Sequence, residues 1–251
     1  MIYLPGMSEV AYGEKAQAIR RMFALIAHRY DLLNTILSAN QHRYWRRAAV
    51  RLASPPPGGR ALDVATGSGE FALELAKGMD FQGKVVGIDF CGPILERGRE
   101  KVERRGVPGV IFVLAAAEAL PFPGDTFDIA TIGFALRNVV SVEQTLREMQ
   151  RVVRPGGKVV SLELTRPEKG LWQRFHDWYT RQVVPWVGGM LSGQRPAYVY
   201  LRESIATFMS PKELARRMEE CGLTQVTIHR FTGGVATLHI GVKDSSSSSV
   251  S

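Results

Sequence analysis

Cysteine is scarce in this chain, whose 251 residues include only Cys91 and Cys221. Two isolated cysteines do not form the set of bridges that stabilises small secreted domains, so we expect a reducing, cytoplasmic location. The five histidines show no zinc-ligand spacing with cysteine. We therefore expect no structural metal site.

Long hydrophobic runs are also missing. No segment approaches the ~18 apolar residues that a membrane-spanning helix needs, and the N-terminus shows no signal-peptide core. The composition, 45% hydrophobic and 22% charged, is that of a soluble globular protein. The length fits one domain with an elaboration, or at most two small domains.

Acidic residues are outnumbered by basic ones, which gives a formal net charge of +8. The charge either reflects an arginine-rich composition that keeps the surface solvated or attracts an anionic membrane or nucleic acid. An aromatic-rich segment in the second half of the chain favours lipid over nucleic acid. The arginines crowd the first fifth of the chain, at positions 20, 21, 29, 43, 46, 47 and 51.

The stretch ALDVATGSGE, residues 61–70, predicts a strand, a glycine turn and the start of a helix. Gly67 and Gly69 carry no Cβ, so a ligand can approach the backbone closely at the mouth of a parallel sheet. With the alanine three residues further on, they also satisfy the dinucleotide spacing G-x-G-x-x-A. The carboxylates of Asp63 and Glu70, however, would repel a diphosphate and attract the ammonium and sulfonium groups of S-adenosylmethionine.

A second strand, KVVGID, ends at Asp89, where a carboxylate can bond a ribose diol. Asp89 suits either cofactor, so it predicts a nucleoside without choosing between the two. We favour S-adenosylmethionine as the cofactor and keep NAD and a purely structural glycine turn as alternatives.

Strand-like and helical segments alternate after the break SPPPGG, residues 54–59, where proline ends a helix predicted over 41–53. The alternation predicts a parallel sheet with helices on both faces. A helix capped by Ser210 then precedes two strand-like runs around Gly233 and Gly234, which predict a hairpin with an antiparallel final strand. The five earlier strands are expected at 61–65, 84–89, 110–116, 127–134 and 158–164.

This α/β pattern, a mostly parallel seven-stranded sheet closed by an antiparallel hairpin, is similar to the Rossmann-like fold of class I S-adenosylmethionine-dependent methyltransferases. We predict an N-terminal helical cap over residues 1–55, the methyltransferase domain over 56–243 and a disordered serine-rich tail over 244–251. A helical insert is expected at about 166–209, because that connection is too long for a plain loop. The apolar face of this insert either packs in the core or forms a lid over an apolar substrate. Such a lid could also rest on a membrane. That face comprises Leu171, Trp172, Phe175, Trp178, Tyr179 and Val183.

Several motifs resemble those of the menaquinone and ubiquinone biosynthesis C-methyltransferases, over nearly all of residues 12–243. The first is YDLLN at residues 30–34, followed by His42 and Trp45, and the second is GFALRNV at 133–139. The likeness is strongest to the enzymes that act on demethylmenaquinone. Further motifs that match in order and spacing are AEALPFP (117–123), RPGG (154–157), YLRESIATF (200–208) and GGVATLHIG (233–241).

By that resemblance Thr66, Asp89, Ala116 and Ala117 contact S-adenosylmethionine, and Gly133 occupies a pocket position. Two of these positions depart from the family. Ala116 stands where the family usually has Asp or Asn, and Gly133 stands where some relatives have serine. Each departure removes a polar anchor typically worth ~1 kcal/mol, so we expect weaker cofactor binding with function retained.

The reaction implied by the resemblance adds a methyl group to a ring carbon of a reduced polyprenyl demethylnaphthoquinol, the last step of menaquinone biosynthesis. The carbon becomes nucleophilic when the neighbouring hydroxyl loses its proton, so the site must stabilise a phenolate and exclude water. The permanent positive charge of Arg137 suits it to stabilise the phenolate. Asn138 could orient Arg137 or hydrogen-bond to the quinol. The structural alternative is an ion pair between Arg137 and Asp128 or Asp31.

A base must also accept the hydroxyl proton. His42 is the first candidate, because its unperturbed pKa lies near working pH, although a lone histidine is more often structural. Water activated near Arg137 or Asp31 is an equal candidate. Tyr30 and Tyr200 could stack against the ring or hydrogen-bond its second oxygen, and Tyr200 could equally be a core residue.

Other functions stay open at this point. A benzoquinol of the ubiquinone pathway or another aromatic could be the acceptor. A basic RNA-binding methyltransferase or a non-catalytic adapter is disfavoured, because the sequence lacks the strand motifs of aromatic and basic residues with which RNA-binding domains stack and hold bases. The expected partner is a lipid-tailed quinol, with peripheral association at the inner face of the membrane and no nucleic acid. The oligomeric state is left open, a homo-oligomer included.

Overall fold

Two short helices precede the sheet in the computed structural model, which describes residues 30–167 and 195–245 and the single positions 17, 21 and 182. They are α1 (Tyr30–Leu37) and α2 (Gln41–Ala53), and α2 has the predicted bounds. Between them Asn40 adopts a left-handed conformation with φ 63°. Asparagine tolerates that region better than most residues, so the chain can reverse there.

Strands and helices alternate from residue 60 onward, as predicted. Helices α3 to α5 connect the strands of the first half, and α6 and α7 lead into the last two strands. The strands are β1 (Arg60–Val64), β2 (Lys84–Asp89), β3 (Val110–Leu114), β4 (Phe127–Gly133), β5 (Val153–Leu164), β6 (Leu223–Phe231) and β7 (Ala236–Lys243). The helices are α3 (Glu70–Gly78), α4 (Gly92–Arg105), α5 (Val142–Val152), α6 (Arg195–Thr207) and α7 (Pro211–Glu220).

The seven strands form one sheet in the order β3-β2-β1-β4-β5-β7-β6. The first five are parallel, whereas β7 runs antiparallel to both β5 and β6. The predicted C-terminal hairpin is therefore confirmed. It follows α7, whose N-terminus is capped by the Ser210 hydroxyl, which accepts a bond from the Glu213 N–H.

Apolar side chains cover both faces of the sheet, as expected when helices pack on each side. Successive strand residues point to opposite faces, so Ala61 belongs to one buried cluster and Leu62 to the other. The first cluster includes Trp45 of α2 and Leu75 of α3, and the second includes Leu146 of α5. Strand order reverses at β1, between β2 and β4, and ligands of such sheets bind outside the carboxyl ends of the strands at that point.

The bounds of two strands were predicted wrongly. β3 ends at Leu114, and β5 begins at Val153 with a register shift against β4, because the RPGG turn forms part of the strand. No helix among the described residues combines the length and apolar character needed to cross a bilayer. The three-and-four spacing of Ile19, Met22, Phe23 and Ile26 predicts an amphipathic helix over residues 14–30, which lies almost wholly outside the described residues. The apolar face of the insert and residues 246–251 of the tail also lie outside them, and the domain bounds stay predictions.

Candidate active site

Two adjoining clefts open at the carboxyl ends of β1, β2 and β4. We call them the apolar cleft, of about 740 Å³, and the polar cleft, of about 470 Å³; Ala65 and Gly133 line both. The apolar cleft is further lined by Gly67, Asp89, Phe90, Ile94, Ala115, Ala116, Ala117, Glu118, Phe134, Ala135, Asn138, Val139 and Val140. The polar cleft is further lined by Asp31, Thr35, His42, Arg43, Arg46, Asp63, Thr66, Ser68, Glu70 and Phe71.

Asp89 ends β2 at the wall of the apolar cleft. Its carboxylate accepts bonds from the N–H groups of Gly67 and Cys91, both at 2.9 Å. Burial raises the pKa of Asp89 to about 6, and the bonds from Cys91, Gly67 and Phe90 limit the rise. A buried carboxylate that is held rigidly beside an apolar cleft can accept hydrogen bonds from a ligand's hydroxyl groups.

Asp63 occupies the corresponding place at the end of β1, facing the polar cleft. The hydroxyl groups of Thr66 and Thr131 donate to its carboxylate at 2.6 and 2.8 Å. Burial raises the pKa of Asp63 to about 6, and these hydroxyls, together with the charge of Arg46, oppose the rise. Thr66 thus contacts Asp63 in addition to lining the polar cleft.

Glu70 does not present a bare carboxylate to a ligand, contrary to the expectation from the sequence. Lys101 of α4 lies 2.6 Å from Glu70, and Arg105 lies 3.5 Å from it. The same Lys101 ammonium contacts Asp31 at 2.7 Å and Ser68 at 3.0 Å. Lys101 is therefore buried among three acceptors, and it joins α1 to the glycine loop.

The two glycines of the loop have different roles. Gly67 lines the apolar cleft with φ 57°, as predicted for a position where a ligand approaches the backbone. Gly69 lines neither cleft, and its assignment to cofactor binding stays a prediction. A Cβ on Gly69 would lie 2.6 Å from the ring of Phe112, and a Cβ on Gly87 would lie 2.7 Å from the same ring. Gly69 is needed for packing against β3.

Ala116, Ala117 and Gly133 lie where the resemblance placed them, around the apolar cleft. The structure also explains the glycine at position 133. A Cβ there would lie 2.7 Å from the ring of Phe71, which is buried. The aromatic ring fills the space that a serine side chain would need, and this could not be seen from the sequence because Phe71 belongs to a distant helix.

Arg137 and Asn138 form a turn of 3₁₀ helix after β4. The Arg137 guanidinium pairs with the buried carboxylate of Glu163 and donates to the Phe134 carbonyl. The expected alternative partners, Asp128 and Asp31, were wrong, because Asp128 pairs with Arg154 at 2.6 Å and Asp31 with Lys101. Arg137 lines neither cleft, whereas Asn138 lines the apolar cleft.

The other predicted catalytic residues gather at the polar cleft. Ser38 holds the Nδ1 atom of His42 at 2.7 Å, and His42 is buried at the wall of this cleft. Asp31 also lines it, held by Lys101 and by the Ser68 hydroxyl at 2.5 Å. Tyr30 begins α1, but its side chain lies outside the described part of the structure. Tyr200 of α6, the second tyrosine predicted to contact the acceptor ring, donates to the Asn138 side-chain oxygen at 3.2 Å.

Comparison with known proteins gives matches over nearly the whole chain. The model of the ubiE/COQ5 methyltransferase family matches residues 11–243. A demethylmenaquinone methyltransferase of Bacillus cereus is 39% identical over 92% of this chain and 98% of that protein. A ubiquinone/menaquinone biosynthesis C-methyltransferase of Pseudomonas fluorescens is 38% identical over 95% of this chain and 93% of that protein.

Solved structures show the same fold at lower identity. An S-adenosylmethionine-dependent methyltransferase of Thermotoga maritima, described as a possible histamine N-methyltransferase, has a TM-score of 0.65 at 18% identity, over 90% of this chain and 100% of that chain. A phosphoethanolamine N-methyltransferase of Haemonchus contortus, solved with S-adenosylhomocysteine, has a TM-score of 0.59 at 15% identity, over 79% and 52%. The predicted fold and cofactor are confirmed, and the chain belongs to the ubiE/COQ5 methyltransferase family.

Proposed function

We propose that the protein methylates a ring carbon of a reduced polyprenyl demethylnaphthoquinol, converting demethylmenaquinol to menaquinol. The observation that carries the proposal is the 39% identity, across almost the full length of both chains, to proteins named demethylmenaquinone methyltransferase. A relative at 38% identity is named for both ubiquinone and menaquinone biosynthesis. A benzoquinol is therefore the second candidate acceptor.

The described residues fit S-adenosylmethionine, which when bound supplies an electrophilic methyl group on a sulfonium. In this proposal Asp89 accepts bonds from the ribose hydroxyls, and the small side chains of Ala116 and Ala117 leave room for the adenine. Asp63 at the adjoining polar cleft faces the positive charges of the methionyl end. Gly67, Thr66 and Gly133 shape the passage between the two clefts.

Cofactor affinity is expected to fall as the pH falls through about 6, because Asp63 must be ionised to pair with a cation and an ionised Asp89 accepts stronger hydrogen bonds than a protonated one. Each carboxylate that must lose its proton contributes up to about a tenfold loss per pH unit below its pKa. Titration calorimetry with S-adenosylhomocysteine between pH 4.5 and 7 measures this. 5′-Methylthioadenosine lacks the amino-acid charges, so its affinity should fall with pH only through the protonation of Asp89. An affinity that does not change with pH for either ligand would contradict the assignment.

His42 is the residue that we assign as the general base. Its Nδ1 atom is fixed by Ser38, and it lines the polar cleft beside Gly133, where the two clefts meet. Asp31 is committed to Lys101 and Ser68, so we assign it to holding α1 in place. Tyr30 is proposed to stack against the acceptor ring.

Arg137 and Asn138 are proposed to act on the acceptor from the β4 side. Asn138 lines the apolar cleft, and the hydroxyl of Tyr200 donates to its side-chain oxygen. Arg137 is paired with Glu163, yet its buried Nε atom has no hydrogen-bond partner among the described residues. A phenolate, or a water beside it, would satisfy that donor.

A radiolabelled methyl-transfer assay tests the function directly. Purified protein is supplied with S-adenosylmethionine and either chemically reduced demethylmenaquinone or a demethylated benzoquinol of equal tail length. Transfer to the naphthoquinol alone is the expected result. Transfer to both acceptors would widen the activity to quinols in general, and transfer to neither, with cofactor binding intact, would overturn the proposal.

We also propose that the protein meets its lipid-tailed acceptor at an anionic membrane surface. Arg43, Arg47 and Arg51 lie four residues apart on the exposed face of α2, with the half-exposed ring of Tyr44 beside them. Like charges at this spacing destabilise a helix by a few tenths of a kcal/mol. Glu74 of α3, 3.8 Å from Arg47, offsets part of this repulsion, and an anionic surface would offset the rest. Arginines flanked by an exposed aromatic ring suit lipid headgroups.

Sedimentation with lipid vesicles tests this docking face. Arg47→Gln with Arg51→Gln is expected to reduce binding to vesicles containing anionic lipid about 30-fold, because each basic residue contributes ~1 kcal/mol. The matched control, Arg97→Gln with Arg104→Gln on α4, removes the same charge from another exposed helix face. Equal losses for the two pairs would show that net charge, and not this face, governs binding.

A further inference from the structure

The polar cleft contains more charge than the proposed reaction uses. It is lined by the basic side chains of Arg43 and Arg46 and by three carboxylates, those of Asp31, Asp63 and Glu70. Because it shares Ala65 and Gly133 with the apolar cleft, a ligand whose nucleoside lies beside Asp89 can extend into it. The charges of the polar cleft therefore face the part of that ligand beyond the nucleoside.

Two of the three carboxylates are already neutralised by the protein. Lys101 pairs with both Asp31 and Glu70, and Arg105 adds a second cation beside Glu70. Asp63 differs, because its hydrogen bonds come from two threonine hydroxyls and no cation lies within ion-pair distance of it among the described residues. Asp63 is the carboxylate that a ligand cation would neutralise.

Arg46 is the matching cation. It lies on the inward face of α2 together with His42 and Trp45, and it is 8% exposed. Its guanidinium carbon lies 5.1 Å from the centroid of the Phe134 ring, which lines the apolar cleft. The charge of Arg46 lowers the pKa of both Asp63 and Glu70, against the larger opposing effect of burial. A buried arginine thus lies at the junction of the two clefts.

An unneutralised carboxylate and a buried guanidinium in one cleft match an amino-acid zwitterion. Its ammonium pairs with the carboxylate, and its carboxylate takes two parallel bonds from the guanidinium. We propose that Arg46 is a cofactor-binding residue that holds the α-carboxylate of the methionyl group of S-adenosylmethionine, opposite Asp63. This inference rests on the proposed function, because it assigns the far end of the same ligand.

The assignment is tested by removing the same carboxylate from the ligand. Titration calorimetry compares S-adenosylhomocysteine with its decarboxylated analogue, which keeps the amine and the nucleoside. Wild type is expected to prefer the carboxylate-bearing ligand by about 10- to 100-fold, the value of a charge-assisted hydrogen-bonded pair. In Arg46→Gln that preference should fall to near unity, almost entirely through weaker binding of S-adenosylhomocysteine.

Two further variants make the result specific. Arg47→Gln, on the exposed face of the same helix, should keep the full preference. Arg46→Lys keeps the charge without the two-bond geometry, so it should retain a reduced preference, and it serves in place of Arg46→Gln if that variant does not fold. Equal weakening of both ligands in the Arg46 variants, or no change in either, would overturn the inference while leaving the proposed function intact. Failure of wild type to bind either ligand would instead contradict the proposed function, and the inference with it.

Discussion

Arg137→Ala is expected to lower the free energy of unfolding by about 3–5 kcal/mol, because it leaves a buried carboxylate without its cation. Glu163 is fully buried in β5, and the Arg137 guanidinium is its ion-pair partner. Glu163 also accepts bonds from the N–H groups of Arg137 and Leu164, which do not supply a full positive charge. Denaturation in urea, followed by circular dichroism, measures the loss.

A double variant separates the structural role of Arg137 from its catalytic one. Arg137→Met with Glu163→Met removes both charges and is expected to recover most of the lost stability, since an apolar pair can replace a buried ion pair. Cofactor affinity should stay close to wild type in this variant while turnover stays low. Turnover restored in the double variant would show that Arg137 serves only to neutralise Glu163.

Asp89→Asn is expected to weaken binding of S-adenosylhomocysteine about 100-fold, because hydrogen bonds to a charged group contribute about 1.5–3 kcal/mol each. Gly67 and Cys91 donate to different oxygens of the Asp89 carboxylate, so asparagine keeps an acceptor for only one of these two N–H groups, and its amide NH2 faces the other. Calorimetry gives the dissociation constant. A value equal to wild type would refute the ribose assignment.

The stability of the Asp89→Asn variant provides an internal control. Burial raises the pKa of Asp89 from 3.8 to about 6, so the folded protein binds the proton more tightly than the unfolded chain does. The charged form therefore opposes folding increasingly as the pH rises from 3.8 to about 6, and the full cost remains at neutral pH. Removing the charge relieves this cost at pH 7 and offsets the one backbone bond that asparagine loses, so the net change in stability should be small. Asp80→Asn, at an exposed loop position, is the matched control for both measurements.

The parallel sheet and the closing antiparallel hairpin followed from the sequence because they depend on local patterns. Alternating strand and helix segments with a glycine-containing final turn leave few arrangements of a parallel sheet. Asp89 and Gly67 were found in the same way, because the ends of adjacent parallel strands meet at one edge. These inferences needed only the order of the elements.

The neighbours of the site residues could not be read from the sequence. Gly69 packs against Phe112 from β3, and Glu70 pairs with Lys101 from α4. One signal for Lys101 was available: Ile94, Gly98 and Lys101 recur on the inward face of α4, so a lysine stands where an apolar residue is expected. No local pattern marks Glu163 as the partner of Arg137, because a charged residue within an apolar strand has no fixed partner.

Helix α2 is held in place by residues that follow it much later in the sequence. The Trp45 indole donates to the Thr232 hydroxyl at 2.9 Å, and Lys158 donates to the Ala53 carbonyl at 2.7 Å. During synthesis, α2 therefore lacks these two contacts until residues 158 and 232 have emerged. A nascent chain arrested before residue 232 should offer this helix to proteases and chaperones, and the completed chain should protect it.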